Sequence, residues 1–215
     1  QMTPDIPVIS EEAENLDLEK SSLSDYFWLV DPLDGTKGFI AGCCEYTVNI
    51  ALIYNHLPVI GVIDAPAMGV AYCASSQTPA ECIESGRSRV IRTVMAPAAK
   101  RVVISRFHDV SRLASFDSEF IDLSLTGQVN SSLKFCLVAA GLYDFYPRMG
   151  PTSLWDTAAA QIIVEQAGGQ VVDFTGQRLQ YHLESGLLNP EFIAVGDVSI
   201  VNDVLEFCAM LRRGR

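Results

Sequence analysis

Two aspartates three positions apart carry the first chemical signal, in the segment 28–39, WLVDPLDGTKGF. An apolar run delivers Asp31 at the end of a strand. Pro32 fixes φ and stiffens the exit, and Gly35 permits a tight turn that brings Asp34 back to the same side. Paired carboxylates on a rigid support suit hard cations, which take oxygen ligands. The carbonyl of Leu33 between them could add a ligand, Thr36 offers a hydroxyl, and Lys37 places a cation beside the group. Asp and Gly are also ordinary turn residues, so this segment alone leaves a cation site and an Asx-capped turn both open. Two related motifs do not fit. An EF-hand loop needs acids at alternate positions and a distal glutamate. The DxDGT nucleophile motif has one residue between its acids where this chain has two, which disfavours an aspartyl-phosphate mechanism.

Further acids stand at two other structured points. Ser10-Glu11-Glu12 follows the apolar PVI run and so sits at a strand end. Trp155-Asp156-Thr157-Ala158 places an acid in the first turn of a helix, where the helix dipole favours negative charge.

These residues need elements to hold them. Residues 26–31 read as a buried strand ending on an acid. The β-rich runs 46–54, 58–64 and 68–74, split by turn signals, read as an antiparallel meander within one large sheet. The polar tract 75–100 reads as a domain junction. Beyond it come a strand at 101–105, a helix at 107–119 and a helix at 131–141 that stops at Gly141. Residues 154–167 read as a strong amphipathic helix stopped by Gly168-Gly169. Strands at 170–174 and 191–196 and a closing helix at 197–212 complete a mixed α/β half. The expected division is an antiparallel-sheet (α+β) half, 1–100, with the metal motifs, and an α/β half, 101–215, with substrate contacts. No clear helix precedes residue 26 to cover the second face of the meander.

Composition bounds the possibilities. The chain has 215 residues, 49% apolar and 19% charged, with no run of apolar residues long enough to span a membrane. The formal net charge is −11, which argues against nucleic acid and anionic lipid as partners. Residues 1–34 hold nine acids and one base, so most of that charge lies where Glu11, Asp31 and Asp34 lie. The six cysteines form no CxxC pair and no zinc-type cluster, and the start lacks the features of a signal peptide. Reduced thiols in a cytoplasmic protein are expected. The adjacent Cys43 and Cys44 read as loop or strand-edge residues and are assigned no chemistry.

The elements SEE (10–12), DPLDGTKGF (31–39) and WDTAAAQIIVEQAGG (155–169) together resemble the inositol monophosphatase-like family of metal-dependent, lithium-sensitive phosphatases. Within it the chain is most similar to the 3'(2'),5'-bisphosphate nucleotidases. That likeness rests on Lys37 in DGTKGF, YTVNIALI (46–53), VISRFH (103–108), SSLKFCLVA (131–139) and YPRMGPTSLWDTAA (146–159). It spans nearly the whole chain and implies a layered αβαβα sandwich of α/β (α+β) class, with metals where the halves meet.

The resemblance also implies roles. Glu11 would bind one Mg²⁺ with Asp31 and the carbonyl of Leu33, and Asp31 would bridge to a second ion held by Asp34 and Asp156. Two or three ions per site and inhibition by Li⁺ are expected. Paired cations can stabilise the attacking and leaving oxygens of an in-line displacement and lower the pKa of a bound water. Thr36 would orient and deprotonate that water, so Thr36, Glu11 and Asp34 are the catalytic candidates, and no phosphoenzyme is expected. Gly35, Thr36, Lys37 and Asp156 would line the substrate site. Ser131 or Ser132 would bind phosphate through hydroxyl and helix N-terminal amides. Lys134 and Arg148 would hold the second phosphate and the nucleotide, and His108 would be a substrate histidine. The implied reaction is hydrolysis of 3'-phosphoadenosine 5'-phosphate to AMP and phosphate, in the cytoplasm or peripherally on the inner membrane, by a monomer or homodimer. Inositol monophosphatase or fructose-1,6-bisphosphatase activity is the runner-up. Family members usually carry some 60 or more residues before the SEE element, forming two helices and supplying an acid that partners Thr36. A non-catalytic metal- or nucleotide-binding remnant is therefore the third expectation.

Overall fold

The computed structural model describes residues 3–13, 24–106 and 119–213. Its first sheet runs in spatial order β1 (Val8–Ser10), β2 (Tyr26–Asp34), β3 (Thr47–Tyr54), β4 (Leu57–Ala65), β5 (Val70–Ser75), β6 (Thr78–Glu84) and β7 (Arg87–Val90). β1 pairs parallel with β2, and every later pairing is antiparallel. The meander is thus longer than expected: 75–90, read from its polarity as a domain junction, supplies two more strands. Its turn Ser85-Gly86 has positive φ at both residues, a geometry that matches the twist of paired strands. Edge strand β7 is exposed along its length, so its residues carry no apolar alternation to read.

Inward positions alternate along β2 and β3, burying Phe27, Leu29, Asp31, Thr47, Asn49, Ala51 and Ile53. On the other face Ile50, Tyr54 and Ile60 are exposed. The chain leaves β2 through a short helix, α1 (Thr36–Ile40). Strand β8 (Val103–Ile104) pairs parallel with β9 (Gly127–Gln128). Helix α2 (Leu133–Ala139) follows and stops before Gly141, which has φ +72°. The predicted helix at 107–119 falls almost wholly outside the described residues.

A second sheet has the order β10 (Phe145–Arg148), β12 (Phe192–Val195), β11 (Gln170–Asp173), all antiparallel. Helix α3 (Leu154–Gln166) lies between the two sheets. It was expected to be amphipathic, yet it is buried on every side from Thr157 to Val164, because each sheet takes one flank. Gly61 on β4 shows how close this packing is. A Cβ there would lie 2.4 Å from both the Ala159 carbonyl oxygen and Ile162 Cγ2. A last helix, α4 (Val201–Arg213), packs Val204, Phe207 and Leu211 against the far face of the second sheet. The described layers are therefore sheet, helix, sheet, helix, a mixed α/β layered sandwich as expected.

Candidate active site

The site begins with an irregularity in β2. Asp31 pairs with Asn49 and Asp34 with Thr47, so three steps along β2 match two along β3. Positions three apart on a regular strand face opposite sides; one extra residue puts both aspartates on the same face. The strand therefore runs on to Asp34, where it had been expected to end at Asp31. The turn comes at Gly35, whose φ of +90° glycine adopts readily. On the neighbouring layer, Ser153 and Asp156 form a capping box that starts α3 and sets the Asp156 carboxylate at the same spot.

One oxygen from each of Asp31, Asp34 and Asp156 lies within 4.8 Å of the others. Each carboxylate is anchored at one oxygen. Asp31 Oδ1 accepts from the Leu33 amide at 2.9 Å, and Asp156 Oδ2 from the Ser153 amide at 3.0 Å. Asp34 Oδ2 accepts from the Ser132 amide at 2.6 Å, the Ser132 hydroxyl at 2.7 Å, Asn49 Nδ2 at 3.3 Å and the Thr47 hydroxyl at 3.4 Å. Among the described residues, Asp31 Oδ2, Asp34 Oδ1 and Asp156 Oδ1 accept nothing. Three hard oxygens, held from behind and uncommitted in front, fit a divalent cation.

The electrostatics agree. Burial, then the charge of Asp34, pushes the Asp31 carboxyl up to about 8. The same two causes push Asp156 up to about 7. Carboxylates crowded in this way repel one another, and a multivalent cation among them reverses the sign of the interaction.

Glu11 is held at the end of β1 by its amide, which donates to the Val30 carbonyl at 3.2 Å. Its side chain is exposed and outside the 4.8 Å group, yet its charge contributes to the upward shifts of Asp31 and Asp156. The Leu33 carbonyl accepts from the Thr36 hydroxyl at 3.1 Å.

A cleft of about 290 Å³ opens in front of the carboxylates, lined among others by Gly35, Thr36, Lys37, Ser131, Lys134 and Arg148. Lys134 is buried and its Nζ donates to the Ser131 carbonyl at 2.5 Å. Burial is the main reason its pKa falls to about 8. Arg148 is oriented by Nε donating to the Thr152 hydroxyl at 2.7 Å. Ser131 or Ser132 was expected to bind phosphate, and both line the cleft. The Ser132 amide and hydroxyl donate to Asp34, the hydroxyl also lying 2.9 Å from the Asp156 carbonyl oxygen, and Ser131 takes a left-handed φ of +54° that turns the chain into α2. His108 lies outside the described residues.

Asn49 and Thr47 were not singled out from sequence. Their signal was present: two polar residues on the inward positions of an otherwise apolar strand, YTVNIALI. Asn130 was also missed. It borders the cleft, and its Nδ2 donates to Cys43 Sγ at 3.6 Å, so Cys43 sits beside the site as a loop residue.

A family model described as the inositol monophosphatase family matches residues 1–204. The 3'(2'),5'-bisphosphate nucleotidase CysQ of Escherichia coli K12 is 44% identical over 191 residues, 89% of this chain and 76% of the relative. The Salmonella typhimurium CysQ is 45% identical over the same shares. Among solved structures, CysQ from Bacteroides thetaiotaomicron superposes with a TM-score of 0.77 at 34% identity, covering 89% of this chain and 77% of that one. Thermotoga maritima IMPase superposes with a TM-score of 0.79 at 24% identity, covering 99% and 78%, a likeness of fold. A bulged strand, a capped helix and three converging carboxylates thus sit in a chain that belongs to the inositol monophosphatase family.

Proposed function

We propose that this chain is a divalent-metal-dependent phosphatase that removes the 3'-phosphate of 3'-phosphoadenosine 5'-phosphate, giving AMP and inorganic phosphate. The observation that carries this is the Asp31–Asp34–Asp156 group facing a cleft with two cationic side chains, Lys134 and Arg148, in a chain 44% identical to a 3'(2'),5'-bisphosphate nucleotidase. Asp31, Asp34, Asp156, the Leu33 carbonyl and Glu11 are the residues that would hold Mg²⁺. Bound Mg²⁺ would supply positive charge to activate water and to stabilise the departing oxygen.

The protein groups then divide the work. Thr36 stands at the entrance to the carboxylates and orients the attacking water, its own hydroxyl fixed by the Leu33 carbonyl. Lys134 and Arg148 hold the non-reacting phosphate, and Lys37 adds charge at the rim. Water oxygen bonds to phosphorus as the P–O3' bond breaks; one of the water's protons ends on the departing 3'-oxygen and the other stays with the phosphate. Asp31 and Asp34, from the half before residue 100, meet Asp156, Lys134 and Arg148, from the half after it, at this cleft. Among the described residues no helix is long and apolar enough to cross a membrane. All six cysteines are free, which suits a reducing compartment and supports a cytoplasmic location.

The test is phosphate release from 3'-phosphoadenosine 5'-phosphate with and without Mg²⁺, beside inositol 1-phosphate and fructose 1,6-bisphosphate. Turnover is expected with the bisphosphate nucleotide, dependent on Mg²⁺ and lost in Asp34→Asn. Equal rates in Asp34→Asn and the unaltered chain would overturn the metal mechanism. Faster turnover of inositol 1-phosphate or fructose 1,6-bisphosphate would overturn the substrate assignment, and tight nucleotide binding without turnover would make the chain a binding protein.

A further inference from the structure

We propose that His56, His182 and Glu184 form a second metal site, for one transition-metal ion of the zinc type, separate from the carboxylate centre. One ligand atom from each lies within 4.8 Å of the others. Two imidazoles and a carboxylate are a donor set that suits zinc or nickel better than magnesium. His56 is two residues past Tyr54, at the opposite end of β3 from Thr47, which pairs with Asp34. At about 3.3 Å per residue, that strand separates the two centres by roughly 20 Å.

The local structure is built to present these rings. His56 occupies a two-residue turn with Asn55, and both have left-handed backbones, with φ of +64° and +47°. Non-glycine residues seldom adopt that region, and consecutive ones do so mainly in tight hairpins. The ring is then fixed from behind. The Tyr181 amide donates to the His56 carbonyl at 2.9 Å, and His56 Nδ1 is 3.3 Å from the Tyr181 carbonyl oxygen. An Nδ1–H given to a backbone carbonyl leaves Nε2 with its lone pair, the arrangement by which metal-binding histidines are oriented.

His182 carries the second argument. Its Nε2 is 2.8 Å from Gln180 Oε1, and its Nδ1 is 3.2 Å from Glu184 Oε1. Both ring nitrogens thus face oxygen acceptors. A neutral imidazole that gives its Nε2–H to Gln180 turns the Nδ1 lone pair toward the Glu184 carboxylate, at a spacing that suits two ligands of one ion. The His56 and His182 ring centroids are 3.9 Å apart with the rings stacked, so the imidazoles are adjacent but the His182 ring must turn for both lone pairs to meet one ion. Zinc at about 2.0–2.1 Å from each ligand sets them about 3.3 Å apart. His182 and Glu184, already 3.2 Å apart and both partly exposed, have the freedom to turn together toward His56 and close that difference. An ion here would tie the β3–β4 turn to the segment 180–184, so its binding stabilises the fold.

The test uses the full chain with Mg²⁺ in excess to occupy the carboxylate centre. Zn²⁺ is titrated in by calorimetry, and thermal unfolding is followed in parallel. One Zn²⁺ per chain is expected, with a rise in Tm, and Co²⁺ in its place gives the visible absorption of a nitrogen-ligated ion. His56→Asn, whose side chain tolerates the left-handed backbone, and His182→Ala lower Zn²⁺ affinity at least about tenfold. Glu184→Gln, on an exposed side chain, does the same without risk to folding, and Asp34→Asn leaves this binding intact. The proposal is overturned if no Zn²⁺ binds while Mg²⁺ is in excess. It is equally overturned if affinity is unchanged in the His and Glu variants, or if Asp34→Asn abolishes the binding.

Discussion

Asp34 Oδ2 accepts four hydrogen bonds, two of them from Ser132. That concentration fixes which oxygen is left for a cation, and it makes Ser132 a positioning residue for Asp34. Ser132→Ala removes the hydroxyl and keeps the amide. It is expected to weaken Mg²⁺ binding about 10- to 100-fold while substrate binding at saturating Mg²⁺ changes little. Calorimetry with Mg²⁺, set beside KM at saturating metal, checks this. Lys134 offers a second case. Its native pKa of about 8 lies below the ordinary 10.5, so the folded protein holds fewer protons than the unfolded chain between those values. Stability therefore gains as pH rises through that window, and the buried ammonium is a cost below about 8. Under the proposed function, phosphate binding runs the opposite way, because it needs the charge. KM for the bisphosphate nucleotide is expected to rise as pH passes about 8. Lys134→Met should raise KM about tenfold or more, flatten that rise, and leave stability at neutral pH equal or higher. A drop in stability with KM unchanged would show a purely structural lysine.

At the scale of elements, the site depends on how closely α3 approaches β4, since α3 carries Asp156 and the sheet carries Asp31 and Asp34. Gly61 allows that approach: an added Cβ would meet backbone of α3, at the Ala159 carbonyl and Cα, where no rotamer change can relieve the clash. Gly61→Ala is expected to destabilise the fold by about 1–3 kcal/mol in chemical denaturation and to weaken Mg²⁺ binding, because Asp156 moves with the helix. Unchanged denaturation would mean that the helix re-seats without cost. The sequence announced α3 well by its length and by Gly168-Gly169. It gave the wrong impression of an outward face, because residues such as Ala158–Ala160 fit a crowded slot as well as a mixed surface.

Over the whole molecule, three carboxylates come from two layers, so metal binding and tertiary structure are linked. A ligand that binds only the folded state stabilises it by about 2.7 kcal/mol at a hundredfold excess over Kd. Mg²⁺ is thus expected to raise Tm in proportion to the logarithm of its concentration, and EDTA to remove the gain. Asp34→Asn should abolish the response; a full response in that variant would move the ion elsewhere. The acidity of the chain reads differently in this light. Residues 1–34 concentrate negative charge, and part of it, Asp31 and Asp34, lines the proposed cation site.

The sequence by itself determined the chemistry on offer and most of the frame. DPLDGTKGF and WDTAAA name the carboxylates, and alternation along 46–54 and the glycines after 166 mark the elements, because these signals are local. Tertiary structure alone decided three things. The bulge that turns Asp31 and Asp34 to one face follows from pairing with β3, a partner thirteen or more residues away. The commitment of Ser132 to Asp34 joins positions 98 residues apart. The meeting of His56 with His182 links a hairpin turn to a loop 126 residues later. Contacts between residues that far apart leave no periodicity or spacing in the chain, since strand pairing and the packing of elements remote in sequence bring them together.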